Sequence, residues 1–283
     1  MIPIETEIYY FSGTGNSLYI ARELQKLIPE TELMPIAAML KSENIKTNTT
    51  NVGLVFPCHG LTVPIPVIEF LKRVNGKSSG YFFAVVTRGG SVFRGFPVID
   101  KILNKQGKSL NATFVVDMGQ SDPKLKSYTV PTKEELKEME PNIRQKLEVI
   151  KNTVIHHENY QDDISGLTFS RFGLLNNMLE RFIPFLVHYI APKVKKYFYA
   201  DSKCTGCGTC KQVCPSQKIT MEGQKPLWRH NVDCYFCYAC LNFCPVKAVQ
   251  IYSKIWMKSY TSENGRYPHP YATVDDIAGQ NSR

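Results

Sequence analysis

A chain of 283 residues has room for one large domain or two modest ones. Its formal charge of +9 makes by itself only a weak case for nucleic acid. No apolar stretch reaches the roughly 18 residues of a transmembrane helix, and the longest patch, Phe182 to Pro192, is broken by Pro184 and His188. The chain begins MIPIETEIYYF, without the basic segment or cleavage site of an export signal, so a reducing cytoplasm is expected.

Ile4 to Phe11 is apolar and aromatic and reads as a buried strand. It runs into Ser12, Gly13, Thr14, Gly15, Asn16 and Ser17, after which Leu18, Ile20, Ala21, Leu24 and Leu27 recur at helical spacing. A strand, a loop of glycines and hydroxyls, and a helix make a phosphate seat. N–H groups at the helix start point at the anion, and the helix dipole favours negative charge. No lysine follows the loop, which disfavours a nucleoside triphosphate, and the G-x-G-x-x-G fingerprint is absent. Glu32 to Ile36, Asn51 to Pro57, Tyr81 to Thr87 and Asn111 to Asp117 read as four further strands. Helix faces at Val67, Ile68, Phe70, Leu71 and at Val98, Ile99, Ile102, Leu103 separate the later ones. This alternation predicts an α/β doubly wound parallel sheet of order 2-1-3-4-5, with ligand outside the strand C-termini between the first and third strands. Loops 12–17, 57–60 and 87–91 lie there.

Residues 118–131 are polar and read as a long loop. Thr132 with Glu135 is a capping box, opening a helix with the face Ile143, Leu147, Ile150 and Val154. Residues 159–166 read as a linker. Leu175, Met178, Leu179, Phe182, Ile183, Leu186, Val187 and Ile190 form an apolar stripe that Pro184 should kink. Packing between two domains is its first reading. A membrane-surface or partner-binding role, with Lys193, Lys195 and Lys196 beside it, is the alternative. The tail, 258–283, is polar and irregular.

Eight of the nine cysteines form one pattern used twice. Cys204, Cys207, Cys210 and Cys214 precede Pro215; thirty residues on, Cys234, Cys237, Cys240 and Cys244 precede Pro245. Each run is C-x2-C-x2-C-x3-C-P, and Gly206 and Gly208 permit the tight coil that such spacing needs. Disulfides require an oxidising compartment, and structural zinc takes cysteines in pairs, so iron–sulfur is the expected chemistry. Ile219 and Val249, each five residues after the last cysteine of a motif, are expected to form the apolar floors. Cys58 stands alone and reads first as a small buried apolar residue.

The cysteine spacing resembles that of bacterial two-cluster ferredoxins, in which the fourth cysteine ligates the other cluster. YFSGTGNS after a first strand resembles the FMN-phosphate loop of flavodoxins. Together they make the chain similar to the flavodoxin–ferredoxin fusion family, the EFR1-family ferrodoxins. The resemblance implies a flavodoxin-like domain over 1–160, a linking amphipathic segment over 161–196 and a small α+β ferredoxin domain over 197–257. It implies one 4Fe–4S cluster on Cys204, Cys207, Cys210 and Cys244, and a second on Cys234, Cys237, Cys240 and Cys214. It implies FMN with its phosphate on Ser12, Gly13, Thr14, Gly15, Asn16 and Ser17. Pro57, Cys58, His59 and Gly60 would flank the ring on one side, and Arg88, Gly89, Gly90 and Ser91 on the other. The Trp and Tyr that many flavodoxins stack on the ring are missing from these loops, leaving His59 or Phe93 as substitutes. Two clusters on eight thiolates bring a charge of about −4 and a flavin phosphate about −2, leaving roughly +3 of the formal +9.

The function so implied is electron relay between two clusters and FMN, serving a redox protein partner and no nucleic acid. The alternative is an FMN-dependent reductase of a small acceptor such as a quinone. A scaffold with a degenerate flavin site is the third reading. No substrate-directed acid/base pair or nucleophile triad is evident. Peripheral membrane contact and a dimer stay open.

Overall fold

The computed structural model describes residues 5–47, 49–76, 79–121, 129–166, 173–190, 197–251 and 265–282. Ile4, Pro192, Lys193, Lys195, Lys196 and, of the tail, residues 258–264 and 283, all invoked above, lie outside the described residues.

Successive side chains of a strand face opposite sides of its sheet. In β1 (Thr6–Tyr10), Ile8 and Tyr10 join one apolar core, while Tyr9 and the following Phe11 join the other. Helix α1 (Asn16–Leu27) lays Leu18, Ala21 and Leu24 on the first core. Then come β2 (Thr31–Pro35), α2 (Ile36–Met39), β3 (Ile45–Lys46), β4 (Asn51–Pro57), α3 (Ile65–Arg73), β5 (Val74–Asn75) and β6 (Tyr81–Arg88). After them follow α4 (Phe96–Leu103), β7 (Ala112–Asp117), α5 (Lys133–Ile155) and β8 (Tyr160–Gln161). The main sheet is parallel and runs β2-β1-β4-β6-β7-β8, with β3 and β5 paired separately. Counted along that sheet alone, the order is the expected 2-1-3-4-5 with one extra edge strand. The fold is α/β and flavodoxin-like, with a small ferredoxin-like domain behind it.

The edge strand corrects the reading of 159–166 as a linker. Tyr160 pairs with Ala112, and the Asp162 carboxylate accepts from the Val115 N–H (3.0 Å) and the Lys146 ammonium (2.7 Å). The Thr132–Glu135 capping box is present, and Ile143, Leu147, Ile150 and Val154 of α5 are buried.

Helix α6 (Gly173–Phe185) passes into a π turn over Leu186–Ile190 just beyond Pro184, which has no N–H to give. One side docks on the α/β domain: Glu180 pairs with Arg94, and His188 Nε2 meets the Val63 carbonyl at 2.9 Å. On the other side Leu174, Met178, Phe182, Phe185 and Tyr189 are exposed.

In the C-terminal domain β9 (Phe198–Ala200) pairs antiparallel with β12 (Val249–Ile251), and β10 (Ile219–Glu222) with β11 (Lys225–Trp228). Short helices α7 (Thr209–Gln212) and α8 (Ala239–Asn242) carry the third cysteine of each motif. Val213, Ala239 and Phe243 pack in the same core as Ile8 and Leu18, so the two domains share apolar contacts. The described tail is ordered rather than irregular, and α9 (Val274–Ala278) has its own capping box in Thr273 and Asp276.

Candidate functional site

The two cysteine motifs repeat in backbone as well as in sequence. Gly206, Gly208 and Gln217 have φ of 74°, 78° and 51°, and thirty residues on Phe236, Tyr238 and Lys247 have 51°, 57° and 53°. The second motif holds the same left-handed coil with aromatic residues, at a cost of about 1–2 kcal/mol each that glycine avoids. The aromatics cover the site: the Tyr238 hydroxyl meets that of Tyr197 at 2.8 Å, and Phe236 stands edge-on to the Tyr197 ring at 5.0 Å.

Cys204, Cys207, Cys210 and Cys244 line one hollow, and Cys214, Cys234, Cys237 and Cys240 line another. The fourth cysteine of each motif therefore stands with three of the other. Val249 lies in the wall of the first hollow and Ile219 in that of the second. Burial pushes the Cys210 thiol up to about 11 and Cys234 up to about 12, with neighbouring thiols of the same quartet adding to both. Burial raises Cys237 and Cys240 as well, while the hydrogen bond with Thr209 pulls the exposed Cys207 down. Buried thiols so arranged lose their protons only to a cationic centre.

Among the described residues no group of three or more Cys, His, Asp or Glu side chains is arranged to hold a single metal ion. No disulfide forms either. The quartets fit a larger polynuclear centre, and the donors around them suit thiolate sulfur. The Phe236 N–H reaches Cys234 Sγ at 3.4 Å and the Ala248 N–H reaches Cys244 Sγ at 3.2 Å. Thr209 and Ser216 hydroxyls lie 3.4 and 3.6 Å from Cys207 and Cys214 Sγ.

The phosphate-type loop, residues 12–17, has the expected strand–loop–helix setting, but all six residues are buried. Gly13 touches the second cysteine motif: a Cβ there would lie 2.1 Å from the Cys237 carbonyl oxygen. Gly15 abuts His269 and Ala272 of the tail. Gln280 clamps Ser12 twice, accepting from its N–H and donating to its carbonyl, both at 2.9 Å. The Asn16 amide donates to the Gly119 carbonyl (2.9 Å), Ser17 Oγ meets Thr87 Oγ1 (2.7 Å), and the Gly15 N–H donates to Ser12 Oγ (3.1 Å). The loop's chemistry suits a phosphate, but the Ser12 and Gly15 N–H groups, the Asn16 amide and the Ser17 hydroxyl are bonded within the chain, and Cys237 and the tail lie against Gly13 and Gly15. As arranged here it does not fit an FMN phosphate.

The two ring-flanking loops touch each other. The Cys58 N–H bonds the Thr87 carbonyl (2.8 Å), and its half-buried Sγ lies 3.8 Å from Ser91 Oγ. Pro57 ends β4, His59 stands edge-on to Phe11 at 6.0 Å, and Gly60 lies against Val187. Arg88 pairs with Asp117 (2.8 Å), Gly89 abuts Gln120, and Gly90 and Ser91 face Gly166. Phe93 is no ring shield: it is fully buried in the core against Phe56 and Phe96. The aromatic that reaches this edge is Tyr235, from between two cysteines, edge-on to Phe11 at 6.1 Å.

Sequence reasoning missed Tyr235 and the tail. The tail is a strap. Arg266 donates to the carbonyls of Leu241 (3.0 Å) and Val249 (3.1 Å), and the Tyr267 N–H to the Asn242 side chain (3.0 Å). The His269 N–H then bonds the Thr14 carbonyl (2.7 Å), and Asp276 pairs with Arg22 of α1 (2.5 Å).

Residues 196–260 match the family described as a 4Fe-4S dicluster domain. An NADH-quinone oxidoreductase subunit I 2 from Geobacter metallireducens is 31% identical over 78 residues, 24% of this chain and 60% of that protein. A ferredoxin from Methanothermococcus thermolithotrophicus is 33% identical over 51 residues, 17% of this chain and 85% of that protein. The chain thus spans only 60% of the former relative's length. Among solved structures, rubredoxin oxygen:oxidoreductase from the anaerobe Desulfovibrio gigas is similar over 53% of this chain and 37% of that one, at 18% identity and a TM-score of 0.32.

Proposed function

Through its C-terminal domain the chain belongs to the ferredoxins, and from that footing we propose that it relays single electrons to or from a redox partner through two 4Fe–4S clusters. Cys204, Cys207, Cys210 and Cys244 hold one; Cys214, Cys234, Cys237 and Cys240 hold the other. One observation carries this reading: each hollow is lined by three cysteines of one motif and the last of the other. Each bound cluster supplies a one-electron couple.

The chain's own residues set the conditions for that couple. N–H donors from Phe236 and Ala248 favour the more negative, reduced state, as does water reaching Cys207. Apolar walls at Ile219, Trp228 and Tyr238 exclude water from the second quartet and oppose it. α7 and α8 carry Cys210 and Cys240, one from each quartet, and lie packed together, so the two sites are neighbours.

The crossed ligation is tested by single substitutions. Cys244→Ala should remove the cluster beside Cys207, and Cys214→Ala the one beside Tyr235. Iron content near half and one surviving EPR signal are expected in each. Retention of the cluster beside Cys207 in Cys244→Ala protein would contradict the assignment.

An FMN seated on loops 12–17, 57–60 and 88–91 requires the strap and the Cys237 segment to withdraw first. In the closed arrangement no electron is routed through a flavin. FMN retained stoichiometrically by the full chain would overturn this part of the reading. FMN bound only after removal of residues 265–283 would support it.

A further inference from the structure

The two hollows differ most in what stands outside them. The second faces inward: Cys237 lies against Gly13, and Tyr235 against Phe11. Lys218 beside it is buried, with Nζ bonded to the carbonyls of Arg229 (2.6 Å) and Val232. The first faces out. Cys207 is exposed, and next to it stand two uncovered apolar side chains, Val246 (37% exposed) and Leu227 (41%). Val246 lines the hollow itself, and Leu227 follows Pro226, which also does.

Four exposed lysines are chain neighbours of residues that line this hollow. Lys203 precedes Cys204, Lys211 follows Cys210, Lys225 precedes Pro226 and Lys247 follows Val246, and each of those neighbours lines the hollow. The acids nearest in sequence are fewer. They are Glu222, across the hairpin from Lys225, and Asp201, whose carboxylate takes the Lys203 N–H (2.9 Å) and the Gln250 amide (2.9 Å). The result is a small apolar spot over a thiol quartet, with positive charge around it. Potentials of this kind steer a partner of opposite charge and raise its association rate.

Resting on the cluster reading above, we propose that the face around Cys207 is the docking surface for a small acidic electron-carrier protein. Its apolar centre meets the carrier where the carrier's own redox group is nearest the surface, and its lysines meet surrounding carboxylates. One electron passes: the carrier is oxidised by one, the first cluster is reduced by one, and no bond or proton moves. Anionic lipid or nucleic acid would also meet lysines but has no electron to give. The second hollow, against the α/β domain, is reached through the first.

Calorimetry of the oxidised holoprotein with an oxidised, acidic bacterial two-cluster ferredoxin reads the docking without any turnover. Binding that weakens as salt is raised is expected, because exposed charges are screened beyond about 10 Å at 0.1 M. The double reversal Lys211→Glu with Lys247→Glu should weaken it roughly tenfold or more, and slow reduction by the same carrier to match. Reversal of Lys105, in the α/β domain, should change neither. EPR signals of both clusters, unchanged in the variant under dithionite, keep loss of docking distinct from loss of clusters. Salt-independent binding, or binding untouched by the double reversal, would overturn the proposal. Protein that binds no iron at all would overturn the cluster reading beneath it.

Discussion

The two cysteine quartets come from one motif written twice, yet their surroundings are unlike. Around the first, glycines make the coil, Cys207 meets solvent and lysines form the rim. Around the second, Phe236 and Tyr238 take the same left-handed backbone, Trp228 and Tyr238 wall the hollow, and the flank presses on the parallel sheet. The repeat makes two like backbones, and the neighbours then differ. One hollow has a cysteine in solvent and the other is walled by aromatic side chains.

The largest effect should come from Cys240→Ala. It removes a buried member of the second quartet and exposes the apolar wall around it, so about half the iron should be lost and the domain interface loosened. Cys207→Ala should cost the first cluster but leave that interface intact. Iron analysis with hydrogen exchange at residues 12–17 separates the two variants. Equal loosening in both would break the comparison.

Acid should release the strap before it touches the fold. Burial holds His269 at about 4, below its ordinary 6.5, so the unfolded tail binds more protons between those values. Stability is therefore complete above about 6.5 and falls as pH drops towards 4, by about 3 kcal/mol over the window. The ring stacks on Tyr19 at 4.7 Å, and Nδ1 accepts from the Tyr271 N–H at 3.3 Å, an acceptor role that protonation ends. Protection factors in 265–282, with the intrinsic pH dependence of amide exchange divided out, should fall between pH 7 and 5, and His269→Gln should abolish that fall.

Gly13→Ala should cost about 2 kcal/mol, because its Cβ would sit 2.1 Å from a backbone oxygen with no flexible arm to yield. Thermal unfolding reads the loss, and only the second cluster's spectrum should change. The smallest effect is expected from Tyr238→Phe. It keeps the ring over the second hollow and removes only the hydroxyl that meets Tyr197, at about 1 kcal/mol. Thermal unfolding should shift by only a few degrees, and that cluster's EPR signal should stay as it is.

Much of this was legible in the sequence. Periodicity marks the five main strands, because each must bury a face, and the cysteine spacing, read against known ferredoxins, anticipates the two quartets. Ile219 and Val249 could be read as walls because they repeat at the ligands' own offset. What was not legible has no period. The strap holds by backbone bonds and single polar side chains, Gln280, Arg266 and His269, which look like any surface tail. The loop at 12–17 carries the local grammar of a phosphate seat, and nothing within those six residues says that distant segments will cover it. Phe93 failed as a ring shield for a related reason: a phenylalanine's letter does not reveal whether it faces the ligand edge or the core.

Potentiometric titration of the anaerobically purified protein, followed by EPR and accompanied by iron and sulfide analysis, tests the asymmetry most directly. About eight irons and two separate one-electron midpoints are predicted. The exposed, lysine-rimmed cluster, identified by its loss in Cys207→Ala, should titrate at the higher potential. A single shared midpoint, or the lower one belonging to the exposed site, would contradict it.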